Sequence, residues 1–213
     1  MSEFVTNPHG RLLVPTYHAI APHGTGRLLV AGEGEWGNRC EAGHRFARPR
    51  ATPEDPVDIC TCGKYLSEEL AILPEDATLL EDPNEAFDRN WWHVSHSAAL
   101  ALDPDQPVHL GSREAADDRA NLKNYARENH GKSFDLHLYK IRLKGSARIH
   151  PDVLVERPGQ SSDHTHALSL LSDWDVVRYV NGTEAPGSIS LVVNARAVEN
   201  MDLEIRDYLR REV

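Results

Sequence analysis

The sequence predicts an α+β protein built in two parts. Three observations predict it. The chain of 213 residues has three cysteines, Cys40, Cys60 and Cys62, all crowded into one amino-terminal stretch. An acid- and proline-rich run over residues 74–89 separates that stretch from the rest of the chain. Beyond residue 90, apolar runs of strand length alternate with helical patterns. The parts are a small module over residues 1–80 and a larger domain over residues 90–213.

Composition narrows the classes of function. Apolar residues make up 40% and charged residues 26%, the balance of a chain that folds around a core. Mean hydropathy is -0.51, and no stretch approaches the ~18–20 apolar residues of a membrane helix. No basic start leads into an apolar run, so no export signal is read and a cytoplasmic protein is expected. Thirty-three acids against 23 bases give a net charge of -10. Such a surface repels a phosphate backbone and speaks against broad nucleic-acid binding. The 12 histidines titrate near neutrality, so this charge shrinks in mild acid.

The first element lies over residues 11–37, where apolar pairs such as Leu28-Leu29 between glycine-rich turns predict a hairpin or meander. Residues 45–58 read as a loop. From Gly63, the spacing of Leu66, Leu70 and Leu73 predicts a helix ended by Pro74. Residues 74–89 read as a solvated linker or capping segment. Strands are predicted over 91–95 and 107–112, then a helix over about 113–129 capped by Ser112. Next come a strand at 136–143, a short helix at 164–171 and strands at 176–180 and 188–193. The tail, 201–213, resembles a polar helix.

The cysteines carry the first chemical signal. Cys40 and His44 sit on one turn, and Cys60 and Cys62 on another, with Gly63 after the last thiol. An odd number of thiols argues against a disulfide framework. Three thiolates and one imidazole are the ligand set of a closed tetrahedral zinc site, which staples a loop and leaves no open position for catalysis. Three buried thiols beside a chance histidine are the alternative. The segment from about 17 to 73 resembles a zinc-binding segment of actinobacterial and phage proteins, through Trp36, Cys40, His44, Cys60, Cys62, Gly63 and Tyr65. That resemblance implies no activity.

The larger domain carries three further pieces. They are Trp92-His93-Val94-Ser95-His96, Val108-His109-Leu110-Gly111-Ser112 before Arg113-Glu114-Ala115-Ala116, and Tyr179-Val-Asn181-Gly-Thr-Glu184-Ala-Pro-Gly187-Ser188-Ile-Ser190. Each alone reads as a strand end, a cap or a loop. In this order they resemble the ADP-ribosyltransferase superfamily, in particular its phage-encoded members. The resemblance covers roughly residues 90–200 and implies a split β-sheet that clamps NAD. It implies that His93 holds a ribose hydroxyl, that Ser95 lies at the nicotinamide end, and that Glu184 stabilises the oxocarbenium formed as the glycosidic bond breaks. His109, Gly111, Ser112, Tyr179, Asn181 and Ser188 complete the implied cofactor site. An aromatic often stacks on the nicotinamide; here His109 stands at that place, with Tyr125 or Tyr139 as substitutes. The family often places its catalytic Glu at the start of the last core strand, where this chain has Ile189.

Other constellations read more weakly. His93, His96 and His109 could share a second metal, and Arg142 or Arg178 could meet a pyrophosphate. No nucleophile elbow, phosphate-binding Gly-Lys loop or His-Glu-x-x-His motif is present. Two functions are expected. One is an NAD-binding, ADP-ribosyltransferase-like protein, phage-encoded and acting on a host factor. The other is a non-enzymatic zinc-containing interaction protein whose nucleotide cleft is vestigial and whose ligand is a protein partner.

Overall fold

Two compact units, Met1–Pro74 and Glu75–Val213, divide a mixed α/β chain with several sheets. The structure, a computed structural model, describes residues 5–7, 10–16, 28–29, 36–40, 42–47, 59–62, 66–103, 106–130, 135–156 and 161–205. Among these, no helix is long and apolar enough to cross a membrane.

The first unit holds β1 (Val5–Thr6), β2 (Leu12–Thr16), β3 (Leu28–Leu29), β4 (Trp36–Cys40), β5 (Arg45–Ala47), β6 (Ile59–Cys60) and β7 (Leu66–Ala71). Five form an antiparallel sheet in the order β1-β2-β7-β4-β5, and β3 pairs with β6 in parallel. The helix expected from Leu66 is therefore a strand. It lies between β2 and β4, with Pro15 opposite Glu69 and Arg39 opposite Ser67. The leucine spacing fits a helix, but two neighbouring strands offer ladder partners on both sides, and tertiary pairing overrides so weak a local preference. Residues 45–47, expected in a loop, are also paired. Leu28-Leu29 meets β6 rather than closing a local hairpin. Residues 17–27, 30–35, 48–58 and 63–65, including Gly63 and Tyr65, lie outside the described residues.

At the start of the second unit lies the segment read as a solvated linker or a capping segment. It is not a solvated linker: it is a turn of 3-10 helix at Pro74–Asp76, then α1 (Ala77–Glu81) and α2 (Glu85–Asp88). Asp76, Leu79 and Ala86 are buried there. Asp76 explains the difference. One carboxylate oxygen takes the Arg89 guanidinium, and the other accepts the Ile189 N–H at 2.7 Å. The acids that suggested a linker include one that ties the segment to a core strand.

Seven strands complete the unit: β8 (Trp91–Ser95), β9 (Val108–Leu110), β10 (His137–Leu143), β11 (Ile149–Val155), β12 (Val176–Val180), β13 (Ile189–Val193) and β14 (Val198–Ile205). They form a three-stranded sheet, β14-β10-β8, and a four-stranded one, β11-β12-β13-β9. One bridge joins the two, Trp92 to Gly111, with reciprocal bonds of 2.9 and 3.0 Å. Two further helices are α3 (Arg113–His130) and α4 (Ser161–Leu170). Ser112 caps α3, its hydroxyl accepting the Ala115 N–H. Ala116 and Ala120 of α3 pack on Val94, Leu136 and Leu138. Ala167 of α4, with Leu171 just beyond it, packs on Val177 and Val192.

Two strands escape the sequence reading. β11 contains Pro151, and its pairing with β12 breaks register between Ile149 and Val153, as an edge strand with a proline must. β14 occupies positions through Ile205 that resembled a polar helix. Its burial alternates because only one face of this edge strand is covered. Residues 206–213 lie outside the described residues.

Candidate functional sites

The metal-ligand group of the first unit is built by a hairpin. β4 turns into β5 over Cys40 to His44, with Cys40 N–H bonded to His44 O at 2.9 Å and Gly43 N–H to Cys40 O at 2.8 Å. Gly43 lies at φ 86°, a conformation that side chains disfavour, and so closes the turn. That places the Cys40 thiol and the His44 ring together. β6 brings Cys60, and the turn after it brings Cys62.

The four ligand atoms all lie within 4.8 Å of one another. Cys40 Sγ is 3.7 Å from Cys62 Sγ, and His44 Nδ1 is 3.5 and 3.3 Å from the sulfurs of Cys40 and Cys60. A disulfide would need about 2.05 Å. Metal bonds of about 2.3 Å to sulfur and about 2.0–2.1 Å to nitrogen put tetrahedral edges near 3.8 Å between sulfurs and near 3.5 Å from sulfur to nitrogen. The spacing fits a single four-coordinate ion, and the group can hold a metal. Burial alone would raise the Cys60 thiol, but the Cys62 N–H, the neighbouring thiols of Cys62 and Cys40 and the Thr61 hydroxyl outweigh it and lower the pKa toward thiolate. Among the described residues no other cluster of three or more metal-ligating side chains occurs, so His93, His96 and His109 form no second metal site.

The second site lies in the second unit, beside the bridge between the sheets. His93 Nδ1 donates to the backbone carbonyl of His109 at 2.9 Å. In the neutral ring this fixes Nε2 as an acceptor, so His93 donates through Nε2 only when protonated. The His109 side chain turns to the other neighbours. It stacks on His164 of α4 with centroids 4.7 Å apart, and its Nδ1 is 3.4 Å from the Tyr179 hydroxyl. A small pocket of about 20 Å³, open to solvent, is lined by His109, His164, Tyr179, Glu156, Asp163 and the apolar Leu154, Ala167 and Val192.

Glu184 lies nearby on the loop after β12, whose Gly182 N–H bonds the pocket residue Glu156 at 3.2 Å, and it acts electrostatically on Glu156 and Tyr179. Asn181 shapes that loop: its side-chain oxygen accepts the N–H groups of Thr183 and Glu184 at 2.9 and 2.8 Å, and its amide donates to Ser190 Oγ. Ala185 sits at φ 47°, strained by about 1–2 kcal/mol, and is held there by Asp118 of α3, which accepts its N–H at 2.8 Å. One residue along, Arg119 pairs with the Glu184 carboxylate at 2.7 Å.

The sequence-derived residues therefore divide. His93, His109, Tyr179 and Glu184 converge, together with Arg119, Glu156 and His164, which sequence reasoning missed. Gly111, Ser112, Asn181 and Ser95 shape the backbone around them. A Cβ on Gly111 would lie 2.9 Å from that of Ala115, so glycine lets α3 leave the strand closely. Ser95 Oγ accepts the Ser97 N–H in a local turn. Ser188 is fully buried, its hydroxyl unpaired among the described residues. Tyr139 is buried and bonds Ser97 O and Leu100 N, away from any stacking role. The side chain of Tyr125 lies outside the described residues. Ile189 is buried in the core at the start of β13. Arg178 is buried on backbone carbonyls, not poised for a pyrophosphate, and Arg142 is exposed on β10. Two signals could have found Arg119 and Glu156. Arg119 lies four positions beyond Ala115 on one helix face, and Glu156 directly follows β11, a strand the sequence reading lacked.

Burial sets the charges. It lowers His109 to a pKa of about 4, helped by His164, Arg119 and His93. It raises Glu156 above its ordinary value, against the Gly182 N–H, and raises the Tyr179 phenol. At neutral pH, His109 is uncharged and Tyr179 keeps its proton. A histidine lowered in the fold stabilises it fully above its unfolded pKa of about 6.5, and this contribution is lost as pH falls toward about 4. The loss reaches about 2.5 kcal/mol near pH 4.5. Urea unfolding at pH 7 and near pH 4.5 should show His109→Gln losing less stability than wild type by that amount. Equal losses would remove the buried neutral ring. No protein-family model, curated protein or solved structure matches this chain.

Proposed function

We propose that the second unit binds NAD or a related dinucleotide beside the joint between its sheets and acts on it as an ADP-ribosyltransferase-like or NAD-hydrolysing enzyme. The carrying observation is convergence: His109 and Tyr179 line one pocket, His93 bonds the His109 carbonyl, and Glu184 acts electrostatically on Tyr179, residues spread over some ninety positions. The sheets also separate on either side of a single bridge, as a split-sheet clamp would. Such a reaction breaks the bond between nicotinamide and the ribose, and the electron pair leaves with nicotinamide. Water or an acceptor then adds at the ribose carbon and loses a proton. Glu184 stabilises the positive ribose and holds its 2′-hydroxyl. Glu184→Gln should keep the rise in melting temperature with excess NAD while lowering nicotinamide release by about 10²–10³-fold. Wild-type protein showing neither thermal shift nor nicotinamide would end this reading.

In the same proposal the metal of the first unit is zinc with a structural role, since four protein ligands leave no open position. A non-enzymatic interaction protein is the second reading, with a protein partner and an inactive cleft. It is favoured by Ile189, whose buried place would not admit a carboxylate, and by the pairing of Glu184 with Arg119.

A further inference from the structure

We infer that Arg119 selects the anionic part of the ligand, exchanging its guanidinium between Glu184 and a diphosphate. The inference rests on the reading of this unit as a nucleotide binder. The chain carries a net charge of -10, Glu156 and Asp163 line the pocket, and Glu184 lies on the loop whose Gly182 N–H bonds Glu156 at 3.2 Å. His109 is neutral there and offers no positive charge. A diphosphate entering this place needs a cation, and Arg119 acts electrostatically on His109, Glu156 and Tyr179 alike. Among the described residues, four other arginines of the unit are engaged elsewhere. Arg113 bonds Asp117 and Glu204, Arg148 and Arg196 bond Asp175, and Arg89 bonds Asp76.

The two partners of the pair differ in freedom. Glu184 is 19% exposed and its N–H is fixed by Asn181, whereas Arg119 is 55% exposed on the flank of α3. An exposed ion pair costs little to break, and a guanidinium meets phosphate through two parallel bonds. Exchange also uncovers the carboxylate that the nucleotide reading requires. Arg119 is thus both anion recogniser and cover for Glu184.

Calorimetric titration of ADP-ribose and of inorganic pyrophosphate tests this on wild type, Arg119→Ala, Arg119→Lys and Glu184→Gln. Arg119→Ala should bind both at least tenfold more weakly and lose part of the salt dependence, with Arg119→Lys between. Glu184→Gln, which removes the competing anion, should bind two- to fivefold more tightly, an outcome a merely structural pair would not produce. Unchanged affinity in Arg119→Ala, equal weakening in Glu184→Gln, or no wild-type binding of either anion would overturn the inference. The two readings fail separately. NAD cleavage insensitive to Arg119→Ala removes only the role of Arg119. Arg119-dependent anion binding without nicotinamide release removes only the NAD-cleaving activity and supports the anion site.

Discussion

Purified protein should contain about one equivalent of zinc, and its removal should unfold the first unit. Among the described residues, the buried apolar side chains of that unit are Leu13, Val14, Cys40, Cys60 and Ile72, and two of these five are metal ligands. Small modules of this kind depend on a staple. Apparent binding free energies for structural zinc reach about 10–16 kcal/mol in small peptides, well beyond what those three aliphatic side chains supply. A bound ion would also offset the crowding of three sulfurs and one imidazole within 4.8 Å. Cys60→Ser should lose the metal, because hydroxyl oxygen is a poor ligand beside two thiolates. Hydrogen exchange in β4 and β7 should then approach the unprotected rate, with β10 and β12 as internal references. A folded preparation with no metal, whose melting is unaltered by a chelator, would overturn this.

The metal group was legible because chemistry clusters in one dimension: three thiols and a histidine on two turns leave few alternatives. Strands β8 and β12 were legible because their apolar runs have strand length and firm ends. The Ser112 cap was legible from its place before a charged, alanine-rich run. β7 was not, because Leu66, Leu70 and Leu73 satisfy a helical period, while the pairing of Pro15 with Glu69 and Arg39 with Ser67 joins residues far apart in sequence. Asp76 shows the same limit from the other side. An acid in an acidic, proline-rich stretch reads as solvated until its partners, Arg89 and the Ile189 N–H, are seen. Arg119 and Glu156 were hidden because their roles exist only once α3, the 181–188 loop and the end of β11 meet.

Arg178→Ala should destabilise the second unit by about 3–5 kcal/mol. Arg178 is fully buried in β12, in a strand of otherwise apolar inward residues. Among the described residues no carboxylate bonds it. Its guanidinium donates to the carbonyls of Leu79 in α1 and of His150 and Pro151 at the edge strand, the last at 2.6 Å. Burial pulls its pKa below the ordinary value, and Asp82 and Asp152 partly restore it, yet arginine stays charged at working pH. The charge therefore serves as a three-way clasp. It satisfies the end of α1 and the irregular start of β11, where the ladder to β12 breaks register. Alanine would leave those carbonyls without a donor and open a cavity beneath α1. Lysine should rescue little, since one ammonium on a flexible stem cannot span the fork. Methionine should restore packing but not the carbonyl partners, and so fall between alanine and wild type. The same strand turns Tyr179, the next residue, to the opposite face and toward the pocket. Urea unfolding of the three variants gives the order directly. Alanine within 1 kcal/mol of wild type, or lysine equal to it, would show that the clasp holds nothing.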